Sequence, residues 1–214
     1  MPQRVIQSYA ESRDIRFLLH FTRIENLPSI LIHGLHPMSR IGAIGINPIN
    51  NDQLRLDGHL DATSLSISFP NYQMFYRYRK NTIGADWVIL GIRSSILWSK
   101  SCAFCKHNAA DARIRNQNID FLKSPAAFAS MFEEINDIPS RDLQKLHLSD
   151  PTDSQAEVLV FDIIEPQFIF GVEFSNADTL DSYKWMLGKR DARVSNPRQG
   201  FFASRPYARK NHHG

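Results

Sequence analysis

The chain has 214 residues, of which 43% are hydrophobic and 22% charged, with a formal net charge of +3. That length suits one domain with a proper core, and neither an internal repeat nor a low-complexity tract interrupts it. Two cysteines argue against a disulfide scaffold and for a reducing compartment. No apolar run approaches the length needed to span a bilayer, and the first residues are not a signal peptide. The expectation is a cytoplasmic protein with no membrane partner.

In chain order, Arg16–Thr22 reads as a short buried strand with His20 near its end. A lone histidine in that position is ordinarily a core side chain bonded to backbone. Thr22-x-x-Glu25 matches a capping box, and Pro28 is tolerable only in a first helical turn, so a helix is expected from Asn26 or Leu27. Leu27, Ile30 and Leu31 keep helical spacing, and Gly34 is placed to end the helix. Residues 38–61 have no period and are rich in Gly, Asn and Asp, as a functional or mobile loop would be. Arg40 and Arg55 lie in it, and a lone loop arginine is by default a solvated charge. Leu65-Ser66-Ile67-Ser68-Phe69 alternates apolar and small polar residues, a half-buried strand with serines on one face. After Pro70-Asn71, residues 72–80 mix aromatics with Arg77, Arg79 and Lys80 at helical spacing, with Phe75 a core residue. Residues 87–92 form a further buried strand.

Cys102-x-x-Cys105 with His107 supplies at most three ligands, and no second cysteine pair closes a structural zinc site. No metal is expected. Phe128, Met131, Phe132 and Ile135 fall on one helical face within 121–148. Residues 154–164 then read as a buried strand whose one early carboxylate, Glu157, is costly there unless it sits at a cleft rim or has partners. A strand at 168–174 and a short helix at 182–187 follow. From Lys184 onward eight cations face Asp191 alone, so the rest of the chain is mildly acidic. Cations interleaved with aromatics over 193–207 suit single-stranded nucleic acid, while a frayed, solvated tail is an equal reading.

Four separated pieces resemble one family, the DarT-type DNA ADP-ribosyltransferase toxins. They are His20-Phe21-Thr22 with Asn26-Leu27-Pro28-Ser29-Ile30-Leu31 and Gly34-Leu35, then Ser66-Ile67-Ser68-Phe69-Pro70 with Met74-Phe75-Tyr76, then His107-Asn108-Ala109-Ala110, and Gln155-Ala156-Glu157-Val158-Leu159-Val160. Their order and spacing agree with the family from about residue 16 to 165. The resemblance implies an α+β fold, a split antiparallel sheet with flanking helices, and NAD⁺ as substrate in the central cleft. It implies a single domain over 1–214, with the basic segment 184–214 as an appendage.

The same resemblance implies the site. Glu157 and Arg55 would be catalytic. His20, Thr22, Asn26, Ser68, Tyr72 and Tyr76 would hold the dinucleotide, and His107, Arg77, Arg79 and Lys80 would meet nucleic acid. Serines stand where the thymidine-modifying branch has an aromatic Pro-Phe-Tyr-Phe segment, so guanine is as good an acceptor as thymine. The implied partners are single-stranded DNA and a cognate antitoxin, an ADP-ribosylglycohydrolase, macrodomain or similar protein.

Cleaving a nicotinamide glycosidic bond builds positive charge on the ribose, which a nearby carboxylate stabilises more in the transition state than in the ground state. A nucleobase nitrogen acceptor also needs a general base. Glu157 is expected to do both. An exposed, unpaired base is the cheaper acceptor, and residues 146–154, just before Glu157, are expected to read it. Two other readings stand beside this one. One is a transferase acting on RNA or protein, or simply hydrolysing NAD⁺. The other is a non-catalytic nucleic-acid-binding module built on the basic C-terminal stretch.

Overall fold

The computed structural model describes residues 2–42, 45, 49 and 58–210. Seven strands make one sheet: β1 (Phe17–Arg23), β2 (Thr63–Ile67), β3 (Trp87–Arg93), β4 (Cys102–Cys105), β5 (Glu157–Val160), β6 (Ile169–Phe174) and β7 (Asp191–Val194). Their spatial order is β4-β5-β2-β1-β3-β6-β7. Every ladder is antiparallel except β6–β7, which is parallel and makes the sheet mixed.

The centre of the sheet is unequally stitched. β1 and β3 stay in register from Phe17↔Arg93 to Arg23↔Trp87. β1 and β2 share only Leu18↔Ile67 and Leu19↔Ser66 before they part. β2 then runs on beside β5, from Leu65↔Val158 to Thr63↔Val160. At the parting, the His20 imidazole takes the Ser64 carbonyl, Nδ1 to O at 3.0 Å.

Alternation along the strands explains why the sheet opens there. Leu18, Leu65, Ile67, Val88, Leu90, Phe104, Val158 and Val160 share one face and form the main core with Ile6, Ala10 and Phe128 from the helices Pro2–Ser12 and Pro125–Ser130. The opposite face carries two separate apolar clusters. One is Leu19, Phe75, Trp87 and Ile89 with Phe21, Phe201 and Phe202 around them. The other is Ala103, Cys105, Leu159, Ala109 and Ile114. Between them this face of β2 offers Ser64 and Ser66, which are too small and too polar to join the clusters.

Several local expectations need correction. The Thr22–Glu25 capping box does not form, because β1 runs on to Arg23 and a 3₁₀ turn, Ile24–Asn26, precedes the helix Leu27–His33. The expected helix face at 128–135 shrinks to Pro125–Ser130. Phe128, Met131 and Phe132 are still buried, but the last two lie in turns. The late helix begins earlier than expected, at Ala177–Tyr183, where Asn176 caps it. Gly34 ends its helix as expected, at φ +87°, and a Cβ there would collide with the Ile164 carbonyl.

The basic C-terminal segment is largely spent on the protein itself. Arg193 donates to Glu173 Oε2 at 2.7 Å from β7, and Phe201 N donates to Glu173 Oε1. Arg205 donates to the carbonyls of Pro151 and Thr152. Arg209 forks onto Asp150 at 2.7 and 2.6 Å, and Asp150 is 0% exposed. Arg205 and Arg209 are buried in these contacts and are not free for phosphate, whereas Arg193 and Arg198 remain exposed. Removing one member of a buried ion pair strands the other's charge. Arg209→Ala is therefore expected to cost about 3 kcal/mol, read from urea denaturation. A loss below about 1 kcal/mol, the level of an exposed pair, would refute that energetic role.

Candidate active site

Glu157 opens β5, and its backbone partner across the ladder is Cys105, the last residue of β4. The chain leaving β4 therefore turns in front of the Glu157 side chain. Ala109 N donates to Oε2 at 2.9 Å and Asn108 Nδ2 to Oε1 at 3.3 Å. Ala110 N donates to Asn108 Oδ1, which fixes the amide so that its NH₂ faces the carboxylate. Glu157 is 6% exposed. A carboxylate can be buried so only because donors meet its oxygens.

His107 stands at the root of this turn. Its Nδ1 donates to Asp153 Oδ2 at 2.7 Å, and both residues are buried. Asp153 also accepts from Gln155 N through Oδ1, which shapes the turn entering β5. Residues 146–154 were expected to read the acceptor, but Asp150 and Asp153 both point inward, to Arg209 and His107. Arg141 adds bonds to the carbonyls of His147 and Asp150 and to Thr152 Oγ1. The loop's carboxylates are internal, while His147 and Leu148 are exposed.

The β2 side of the site turns sharply. Ser68 is buried in a left-handed conformation at φ +59°, and Phe69 N reaches back to Ile67 O at 2.6 Å. Such a conformation costs a non-glycine residue on the order of 1–3 kcal/mol and is kept where the surroundings over-determine it. Asn71 N then donates to Ser66 Oγ, and Asn71 Oδ1 caps the helix Tyr72–Asn81 by accepting from Met74 N. Asn71 Nδ2 is buried with no hydrogen-bond partner among the described residues. Gln73 Nε2 lies 3.4 Å from Ser154 Oγ, tying this helix to the approach of β5.

On β1, Thr22 Oγ1 accepts from Asn26 Nδ2 at 3.0 Å. The Asn26 amide also pairs with both the N–H and the carbonyl of Ile49, upstream of Arg55. Arg55 itself lies outside the described residues. His20 and Glu157 are thus organised about one strand, β2. His20 takes Ser64 O, and β5 pairs with β2 just beyond Glu157.

The helix Tyr72–Asn81 sorts its cations. Arg77 and Lys80 are exposed, as is Tyr76, while Tyr72 is half-buried. Arg79 is turned inward, with its guanidinium 4.6 Å from the Phe75 ring and one NH₂ donating to Phe202 O. Burial pushes its pKa down. Arg79 therefore packs the helix rather than presenting charge to a strand of nucleic acid, which corrects its expected role.

A cavity of about 370 Å³ lies on the other flank of the His107 turn, lined by Phe104, Lys106, Arg113, Gln117 and Phe121 among others. Of the expected site residues it touches only His107. Its Arg113 is held by Asp111, whose carboxyl that hydrogen bond keeps well below the usual range. None of the residues expected to hold the dinucleotide lines this cavity. Asn108, Ala109, Asp153 and Asn71 were not singled out from sequence as site residues. Asn108 and Ala109 sat inside a resembling block without a role, and Asn71, just before an expected helix, had the chemistry of an N-cap.

The fold, a mixed sheet with helices on its faces, is shared with solved structures of known proteins. Thermosipho africanus DarTG in complex with ADP-ribose aligns at 16% identity and TM-score 0.56, over 87% of this chain and 51% of that one. This chain thus spans about half the length of the Thermosipho africanus chain. Thermus sp. 2.9 DarT in complex with NAD⁺ aligns at 14% identity and TM-score 0.56, over 85% and 96% of the two chains. The same Thermus protein in complex with ADP-ribosylated ssDNA aligns at 15% identity and TM-score 0.53, over 85% and 93%. At these identities the likeness establishes the fold. No curated protein matches the chain. Residues 19–202 match the family described as ssDNA thymidine ADP-ribosyltransferase, DarT, and the chain belongs to that family.

The two cysteines stand apart from this chemistry. Cys102 packs in the main core and Cys105 in the cluster on the opposite face, so their thiols cannot share one metal ion. Among the described residues no group of three or more His, Cys, Asp and Glu is placed to hold one. Burial, with Asp162 nearby, pushes the Cys102 thiol up to about 12, so it stays protonated through neutral pH. Iodoacetamide at pH 8 is expected to spare Cys102 in the folded protein and to label it after denaturation. Rapid labelling in the native state, followed by peptide mass spectrometry, would contradict this.

Proposed function

We propose that this chain transfers ADP-ribose from NAD⁺ to a nucleobase of single-stranded DNA and releases nicotinamide. Family membership supports this reading, and the observation that carries it is Glu157, buried at the sheet's split with both oxygens met by N–H donors. Relatives bring the ligands into view: Thermus sp. 2.9 DarT has been solved with NAD⁺ and with ADP-ribosylated ssDNA.

The residues along the seam suit a dinucleotide. Hydroxyls and amides of Thr22, Asn26, Ser68 and Tyr72, with the unpartnered Asn71 Nδ2, offer the neutral donors and acceptors that ribose hydroxyls and a carboxamide need. His20 is oriented by Ser64 O, and Tyr76 supplies an exposed ring on the neighbouring helix. Glu157 opposes the positive charge that builds on the ribose as the glycosidic bond breaks, an effect enhanced in a site that excludes water. The same carboxylate accepts the proton leaving the acceptor base. Arg55 supports the developing charge, by resemblance alone. The DNA backbone is met by Arg77 and Lys80.

The acceptor is guanine or thymine. The family description prints thymidine, while the Ser66 to Pro70 segment lacks the aromatic run associated with that branch. The chain acts as one domain in the cytoplasm, consistent with two free cysteines and with the absence, among the described residues, of any helix long and apolar enough to cross a membrane. A cognate antitoxin that reverses or blocks the modification completes the reading.

Glu157→Ala is expected to lower nicotinamide release about 10³-fold while NAD⁺ affinity stays within about threefold. Chromatography of nicotinamide and mass spectrometry of an oligonucleotide panel read both the loss and the base modified. Undiminished turnover in that variant would sink the assignment. Arg77→Ala and Lys80→Ala are each expected to weaken oligonucleotide binding alike across sequences, and to flatten the salt dependence by about 0.7 in log–log slope. An unchanged slope in both would place the phosphate contacts elsewhere.

A further inference from the structure

We infer that Asp153 is a positioning residue for the transfer reaction, acting on Glu157 through His107 and the Asn108–Ala109 turn. The inference rests on the reading of Glu157 as the catalytic carboxylate. Asn108 and Ala109, which donate to the two Glu157 oxygens, belong to one short turn that follows the last residue of the edge strand β4. A turn at a strand end is easily displaced unless something beyond the ladder ties it down. The tie is His107, whose Nδ1 bonds Asp153 Oδ2 at 2.7 Å.

Asp153 is well built for that task. Its Oδ2 takes the imidazole, its Oδ1 takes Gln155 N, and its carbonyl accepts from Ala156 N, so it is itself fixed to the residues that immediately precede Glu157. One carboxylate thus fastens the turn that carries the donors to the segment that carries the acceptor. A carboxylate only accepts, so His107 Nδ1 bears the proton, and the bond is charge-assisted. Residues 150–152, just upstream, are clasped by Arg141, Arg205 and Arg209, which gives the clamp a rigid base. Without Asp153 the buried imidazole N–H loses its partner, and the turn is free to move off Glu157 by a fraction of an ångström or more. Displacements near 1 Å cost on the order of 10² in rate when the displaced group faces the reacting centre.

The test compares Asp153→Ala, Asp153→Asn, His107→Gln, the Asp153→Ala/His107→Gln double variant and Glu157→Ala in steady-state nicotinamide release, varying NAD⁺ and a single-stranded oligonucleotide separately. Asp153→Ala and His107→Gln are each expected to lower kcat on the order of 10²-fold, with both KM values within about threefold. The double variant is expected to be no slower than the worse single, because the two residues act as one unit. Asp153→Asn, which keeps the shape and one acceptor, is expected to recover part of the loss. If Asp153→Ala yields no folded protein, the Asn and Gln variants carry the comparison. Wild-type kcat in the Asp153 and His107 variants beside an inactive Glu157→Ala would overturn this inference alone. So would a loss confined to the KM for oligonucleotide, which would make His107 a DNA contact. An active Glu157→Ala would overturn both this inference and the catalytic assignment beneath it.

Discussion

The constraint on which the molecule depends is that β2 cannot stay with β1. The two strands share two residue pairs, after which β2 is committed to β5 and the His20 ring bridges the gap that remains. Apolar burial is the reason. One face of the sheet is a continuous core, while the other divides into an aromatic cluster over β1 and β3 and a smaller cluster over β4 and β5. Filling the space between them would require large apolar side chains on β2, and the strand has Ser64 and Ser66 instead. A sheet without a seam at that place would have nowhere to keep polar groups both buried and addressed to a ligand.

Burial of charge is managed by the same logic throughout. Glu157, Asp153, Asp150 and Glu173 are all buried or nearly so, and each is met by specific donors: a turn, an imidazole, a guanidinium fork, and an arginine with a backbone N–H. Such pairs contribute less to net stability than their attraction suggests, since desolvation offsets much of it. What they do supply is geometry. The loop that enters β5 is held from three sides by Arg141, Arg205 and Arg209, so the position of Glu157 is inherited from residues distant in sequence.

This arrangement also relocates the electrostatics. A tail with eight cations and one acidic residue looks like a nucleic-acid arm when read linearly. In the fold, Arg205 and Arg209 are buried against internal carbonyls and a carboxylate, while Arg193 pairs with Glu173 at the surface. Further exposed positive charge comes from Arg77 and Lys80, on the helix that Asn71 caps after β2. The capped helix therefore has two roles. Its buried residue Phe75 builds the aromatic cluster, and its outer face offers the cations.

Much of this was legible in the chain alone. Period-two alternation in Leu65-Ser66-Ile67 declared a strand with a polar face, though Ser68 and Phe69, expected in it, lie in the bend past its end; the apolar runs of β3 and β6 declared buried strands, because the hydrophobic effect acts on patterns that neighbouring residues already carry. Family membership was readable from four short blocks, and residues 19–202 match that family. The roles of Asn108, Asp153 and Asn71 were not readable, nor the inward turn of Arg79 and of the tail arginines. Each of these depends on a partner far away in sequence: Asp153 on His107, Arg209 on Asp150, Arg79 on Phe202. A side chain's local sequence fixes its chemistry and its face of a strand or helix. Whether its charge meets water or a buried partner is decided only when long-range packing brings that partner within hydrogen-bonding distance.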